Sequence, residues 1–172
     1  MKTIYECSQS KEIKWITAIF FAVIFFAILY VIYGVSKGEN PTLAIAVTAL
    51  LLVTSVSCFC VFPLYIIADD EGIGIRTLLR TKRISYEEID HIERVDGQNS
   101  LFGFSSAIRL FGIGGVFGYI GWFSAKGVGT FQSYVTDSKK VFLVYRTKGR
   151  PIAISVSEPN EFLPYYLKGG TK

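Results

Sequence analysis

No charged residue occurs between Trp15 and Ser36, and none between Asn40 and Ala68. Each run exceeds the ~20 residues that cross ~30 Å of hydrocarbon as a helix rising ~1.5 Å per residue. A chain of 172 residues, 51% hydrophobic and 19% charged with a mean hydropathy of +0.40, is too apolar for an ordinary soluble domain. The excess sits in these two runs. Beyond them the sequence alternates normally, carries most of the charge, and is long enough for one domain with its own core. The expected organisation is a cytoplasmic N-terminal segment over 1–14, a transmembrane hairpin over 15–63, a soluble domain over 64–168 and a tail over 169–172. The two spans are expected at about 15–35 and 42–62.

The first run is too long for the core of a signal peptide, no small-residue cleavage site follows it, and a second run comes at once, so both are expected to remain as anchors. Cys7 precedes the apolar run without a lipobox, and Cys58 and Cys60 fall on different faces of the second span as small packing residues. Trp15, Tyr30 and Tyr33 lie toward the ends of the first span, where amphipathic rings favour the interface. Pro41 suits the first turn of the second span and Pro63 its end. Lys2, Lys11 and Lys14 precede the hairpin, and Arg76, Arg80, Lys82 and Arg83 follow it, whereas the link holds only Lys37. The bias places both termini in the cytoplasm and the link outside. Neither span holds an ionisable side chain, which argues against an ion path or a proton relay.

The stretch "RLFGIGGVFGYIGWFSA", Arg109 to Ala125, has three readings. As a third span its 16 uncharged residues from Leu110 to Ala125 are few, and each interior glycine costs a helix ~1 kcal/mol. It would also export Lys126, Lys139, Lys140, Arg146, Lys148, Arg150, Lys168 and Lys172. As a dinucleotide loop it has Phe117 where the third glycine belongs, and no acidic partner follows. The surroundings favour β-structure. "YIIADDEGIGIRTLL" gives a strand, an acidic turn and an alternating strand, "RTKRISYEEIDHIERV" gives a turn, a strand near Arg83 to Tyr86 and then Ile89 and Ile92, and "GTFQSYVTDSKKVFLVYRTKGRPIAIS" gives three strands. Here Gly112, Gly114, Gly115, Gly118 and Gly121 would supply positive φ or close backbone approach. Phe111, Phe117, Tyr119, Trp122 and Phe123 would bury against the sheets or against lipid. In "SVSEPNEFLPYYL", Ser157 is the expected N-cap of a terminal helix, with Glu158 and Glu161 in its first turn and Phe162 as its apolar anchor.

With "DDEGIGIR", "RISYEEIDHIE", "RLFGIGGVFGYIGWFSAKGVGTFQSYVT" and "ISVSEPNEFL" in hand, the chain resembles the membrane-anchored bacterial pleckstrin-homology-like domains over about Leu64 to Leu167. The glycine-rich block is the specific part. The resemblance implies two packed antiparallel sheets closed by a C-terminal helix, so the expected fold is a two-helix transmembrane hairpin followed by a mainly-β sandwich or barrel with a short C-terminal helix. It also implies a bacterial inner-membrane location. This chain departs from the pattern in two places. Pro164 breaks the helix, and Asp69-Asp70-Glu71 stands where lipid-headgroup-binding relatives carry a basic turn, which argues against inositol-phosphate binding by that route.

No reaction is legible. His91 is the single histidine, and beside Glu88 and Asp90 it suits a solvated turn. No catalytic residue, cofactor site or metal site is expected: the triad components lack a context, and Asp69, Asp70 and Glu71 lack a wrapping loop. Residues 69–172 hold 14 basic and 11 acidic residues, a balance of +3 without a basic stripe, which excludes a nucleic-acid binder. The expected function is a non-enzymatic interaction or scaffold module at the cytoplasmic face, contacting protein, peptide or anionic lipid, with a homo-oligomer as a further partner. The alternative is a small membrane enzyme or an accessory transporter subunit. Arg80, Lys82 and Arg83 form either an ordinary solvated turn or a basic turn that returns to the inner leaflet while the acidic turn points away. Gly112, Gly114, Gly115, Phe117, Gly118, Tyr119, Gly121 and Trp122 form the structural or interaction segment.

Overall fold

In a computed structural model of the protein, residues 3–7, 9–38, 40–95 and 107–162 are described. The two uncharged runs form helices α1 (Lys11–Ser36) and α2 (Thr42–Val61). Both are long and apolar enough to cross a membrane, and most of their large side chains face outward, Phe25, Phe26, Leu50 and Val53 among them. Ser10 starts α1: its backbone is extended, and its Oγ accepts from the Ile13 amide at 3.3 Å. Gly38, at φ +72°, follows the helix end. In α2 the hydroxyls of Thr48, Thr54, Ser55 and Ser57 each donate to the carbonyl one turn back, at 2.7–2.9 Å. These polar groups are therefore satisfied without water. Buried Gly34, Thr48 and Ser55 are the kind of small residues that let helices approach closely.

The rest is two sheets. The smaller has the order β1 (Thr3–Glu6), β2 (Pro63–Ala68), β3 (Gly72–Thr77), β4 (Thr81–Ser85), antiparallel throughout. A 3-10 turn at Tyr86–Glu88 leads into the larger sheet. That sheet contains β5 (Ile89–Val95), β6 (Ala107–Gly114), β7 (Tyr119–Ala125), β8 (Gly129–Val135), β9 (Val141–Arg146) and β10 (Ile152–Ser155). Its spatial order is β5-β9-β10-β8-β7-β6, with β10 parallel to β8 and the other pairs antiparallel. The expected strands on both sides of the glycine-rich block are present, and a short C-terminal helix, described over 159–162, follows β10.

Alternation along the strands makes two cores. In β9, Phe142 and Val144 point between the sheets to meet Ile66, Ile73, Ile75 and Ile84 of the smaller one. Val141 and Leu143 point the other way and join Phe131, Val135 and Ala153 in a second cluster. A central strand covered on both faces reads as an unbroken apolar run, as "VFLV" does. Phe162 is fully buried in the first cluster, edge-on to Tyr5 at 5.5 Å. The apolar anchor lies where the sequence placed it. Its helix begins one residue later than expected: the Glu158 carbonyl, not a Ser157 cap, takes the first amides, from Glu161 and Phe162. Pro164 and the tail lie outside the described residues.

The N-terminus corrects the sequence reading. Residues 1–14 are not a free-standing segment, because Thr3–Glu6 adds a strand to the smaller sheet in the register Thr3↔Ala68 to Glu6↔Tyr65. Tyr5 is buried there, its hydroxyl donating to the Glu161 carbonyl at 3.0 Å. The first helix also begins four residues before Trp15 and includes Lys11, Glu12 and Lys14. Four residues of weak alternation give no strand signal in isolation. The strand exists because β2, leaving α2 directly, offers it an edge.

Candidate functional site

Four strands facing six leave part of the wider sheet uncovered. Lys82 of β4 donates to Gln132 Oε1 of β8, which fixes the edge of the smaller sheet over β8. β7 and β6 therefore overhang. The C-terminal end of α2 occupies the overhang. Thr54, Ser57, Cys58 and Val61, one helical stripe at i, i+3, i+4 and i+7, face Phe111, Gly112, Gly121 and Trp122 across a cavity of about 420 Å³. The β3–β4 turn closes one end with Thr77 and Arg80, and Gln132 and Tyr134 lie at its inner side.

The glycine-rich block is a hairpin of β6 and β7 whose register shifts between Arg109 and Phe111, in line with the irregular β-structure and tight turns expected. Gly112 and Gly121 are cross-strand partners, both with positive φ, +118° and +132°. A Cβ on Gly121 would stand 2.3 Å from the Phe111 carbonyl oxygen, and one on Gly112 equally close to that of Ile120. The two strands approach so closely that neither position has room for a side chain. Gly115 and Gly118 also have positive φ; Gly114 does not, and packs beside the Arg109 guanidinium.

The hairpin tip rests on the first helix. Phe117 adopts φ +62° and is buried, its ring edge-on to Phe21 at 5.8 Å and near Phe62 at 6.4 Å. Its amide donates to Thr17 Oγ1 at 3.0 Å, and its carbonyl accepts from Gln9 Nε2 at 3.4 Å. Left-handed backbone at a bulky residue is uncommon and costly, so the docking contacts hold it there. No sequence signal marks this strain. Tyr119 packs edge-on to Phe123 beneath the sheet, and Arg150 stacks over Trp122 at 5.1 Å. Along β6, Ile108, Leu110 and Phe111 are exposed, as are Leu78 and Leu79 of the β3–β4 turn.

The three basic residues grouped in the sequence part company in the structure. Arg83 reaches the acidic turn, bonding Asp69 and, at 2.9 Å, Glu71. Lys82 points inward, also lying 5.9 Å from the Tyr134 ring centroid, and burial, with Arg146 and Arg80 nearby, holds its ammonium below the usual lysine range. Of the three, Arg80 is the one on the turn beside α2, where it is exposed. His91 lies on β5, not in a turn. It is exposed, stacks on Tyr145 at 4.2 Å and meets Asp90 at 2.7 Å. Among the described residues, no three of His, Cys, Asp and Glu gather to hold a metal ion.

A family model for the bacterial PH domain matches residues 64–168 of the chain. No curated protein and no solved structure matches it.

Proposed function

The chain belongs to the bacterial PH domain family, and on that premise we propose that it is a non-enzymatic, membrane-anchored module. Its two helices span the bacterial inner membrane as a hairpin and hold the β-domain against the cytoplasmic face. There the domain contacts protein, peptide or anionic lipid. One observation carries this reading: no linker separates anchor from domain. α2 ends at Val61 and β2 begins at Pro63, while β1 leads into α1 within a few residues and pairs with β2. The two helices thus emerge from adjacent strands of one sheet, and a domain so joined lies on the bilayer surface instead of hanging from a tether.

The orientation rests on the lysines and arginines flanking the hairpin, which outnumber the single Lys37 of the link. Cysteine labelling in intact cells tests it, scored by mass on the modified peptide. Lys37→Cys should react with a membrane-impermeant maleimide and Lys148→Cys should react only after permeabilisation. The reverse pattern sinks the proposal.

A further inference from the structure

The cavity between α2 and the overhanging hairpin is itself amphipathic. Its α2 wall descends two turns from Val61 to Thr54, about 10 Å at ~1.5 Å per residue, and the opposite wall carries Phe111 and Trp122. The end at the β3–β4 turn is cationic. Among the described residues Arg80 stands there without a carboxylate, and the Lys82 side chain, behind the lining residues Gln132 and Tyr134, donates to the neutral Gln132 and lies near the Tyr134 ring. The nearest acidic turn is occupied with Arg83, and Glu88 with Arg146. Lys82 is partly desolvated against a neutral partner and Arg80 is exposed beside it, so together they leave an uncompensated positive potential, and an anion is the missing partner. The volume lies within the range of small-ligand sites.

We propose that this groove holds one anionic phospholipid of the inner leaflet, its phosphate on Arg80 beside Lys82 and the start of an acyl chain along the Thr54–Val61 face of α2. Because the apolar wall is part of a span, lipid is the molecule already beside it. The inference rests on the membrane-anchored reading above, since a free domain would offer the groove no leaflet. It replaces the three-residue basic turn with a two-residue site, and it assigns Arg83 to the acidic turn.

The test uses the full chain. Carbonate washing comes first: a protein released by it refutes the anchored reading, whatever the groove does. Protein that stays is purified in mild detergent, stripped of lipid, and titrated with phosphatidylglycerol or phosphatidylcholine under native mass spectrometry. One phosphatidylglycerol should remain bound. The Arg80→Ala/Lys82→Ala variant should bind it about thirtyfold more weakly, from ~1 kcal/mol for each of two basic groups at ~1.4 kcal/mol per tenfold. Arg83→Ala should bind as wild type. Ser57→Trp fills the groove from the helix side and should also abolish retention, so a fold defect in the double variant leaves the site testable. Soluble glycerol phosphate at millimolar concentration should not compete. Equal retention of phosphatidylcholine, or competition by glycerol phosphate, overturns the lipid assignment, and so does undiminished binding in Ser57→Trp.

Discussion

Replacing Gly121 by alanine should damage the fold far more than a glycine-to-alanine change usually does. The position has φ +132°, a region alanine avoids at a cost of roughly 1–3 kcal/mol. Space is the second penalty. The new Cβ would stand 2.3 Å from the Phe111 carbonyl oxygen and 2.8 Å from Gly112 Cα, whereas carbon–oxygen contacts normally begin near ~3.3 Å. Both obstacles are backbone of β6, so relief requires parting β6 from β7 and breaking ladder bonds worth ~1 kcal/mol each. The sum is about 3–5 kcal/mol. For a chain of this size that lowers the melting temperature by about 6–20 °C, at roughly 2–4 °C per kcal/mol. Two glycines separate the causes. Gly127 has φ +87° with nothing within 4 Å of its Cβ position, so alanine there carries the backbone penalty alone, about 1–2 kcal/mol. Gly74 has ordinary φ and its nearest neighbour, Ile67 Cβ, at 3.5 Å, so alanine there should stay within about 0.5 kcal/mol of wild type. The assay is thermal unfolding of the full chain in detergent, followed by tryptophan fluorescence. If Gly121→Ala melts within about 2 °C of Gly74→Ala, close strand approach is not what the glycine pair provides.

Phe117→Ala should cost about 3 kcal/mol through loss of its contacts with Phe21 and Phe62. Phe117→Gly should melt a few degrees higher than the alanine variant because φ +62° suits glycine; a lower melting point would refute the strain. Burial pushes the Cys7 thiol up to about 12. At pH 8 only ~1 in 10,000 molecules would then carry its thiolate, against about a quarter for an ordinary thiol. Iodoacetamide should therefore leave Cys7 largely unmodified at pH 8 until the protein is denatured, as read from the N-terminal peptide by mass spectrometry. Modification at the rate of an exposed thiol would show that β1 does not pack as described.

The spans, the strand sequence and the terminal anchor Phe162 were legible because each depends on a local pattern: an uncharged run, period-two alternation, an apolar residue after an acidic turn. What the sequence hid depends on partners distant in the chain. Thr3–Glu6 becomes a strand only because β2 lies beside it. Lys82 and Arg83, neighbours in sequence, point to opposite faces of β4, one toward Gln132 and one toward Asp69. Their grouping as one basic turn treated an alternating strand as a loop. The glycines announced special backbone, yet the bulky Phe117 also takes the left-handed region, held by a helix some hundred residues earlier. The groove draws its walls from α2, the β3–β4 turn and β6 to β8, and no short motif joins them.

The central claim, that the domain lies on the bilayer with its β6–β7 hairpin against the second span, is most directly tested by the depth of Trp122. The chain has two tryptophans, so a Trp15→Phe protein, excited selectively at the red edge of the indole band, reports on Trp122 alone. It would be reconstituted into vesicles whose lipids carry bromine high on the acyl chains. Trp122 lines the cavity formed with α2, so its fluorescence should be strongly quenched relative to unbrominated vesicles, and more by shallow than by deep bromines. Emission unchanged by bromine at any depth would place the domain away from the membrane and contradict the account.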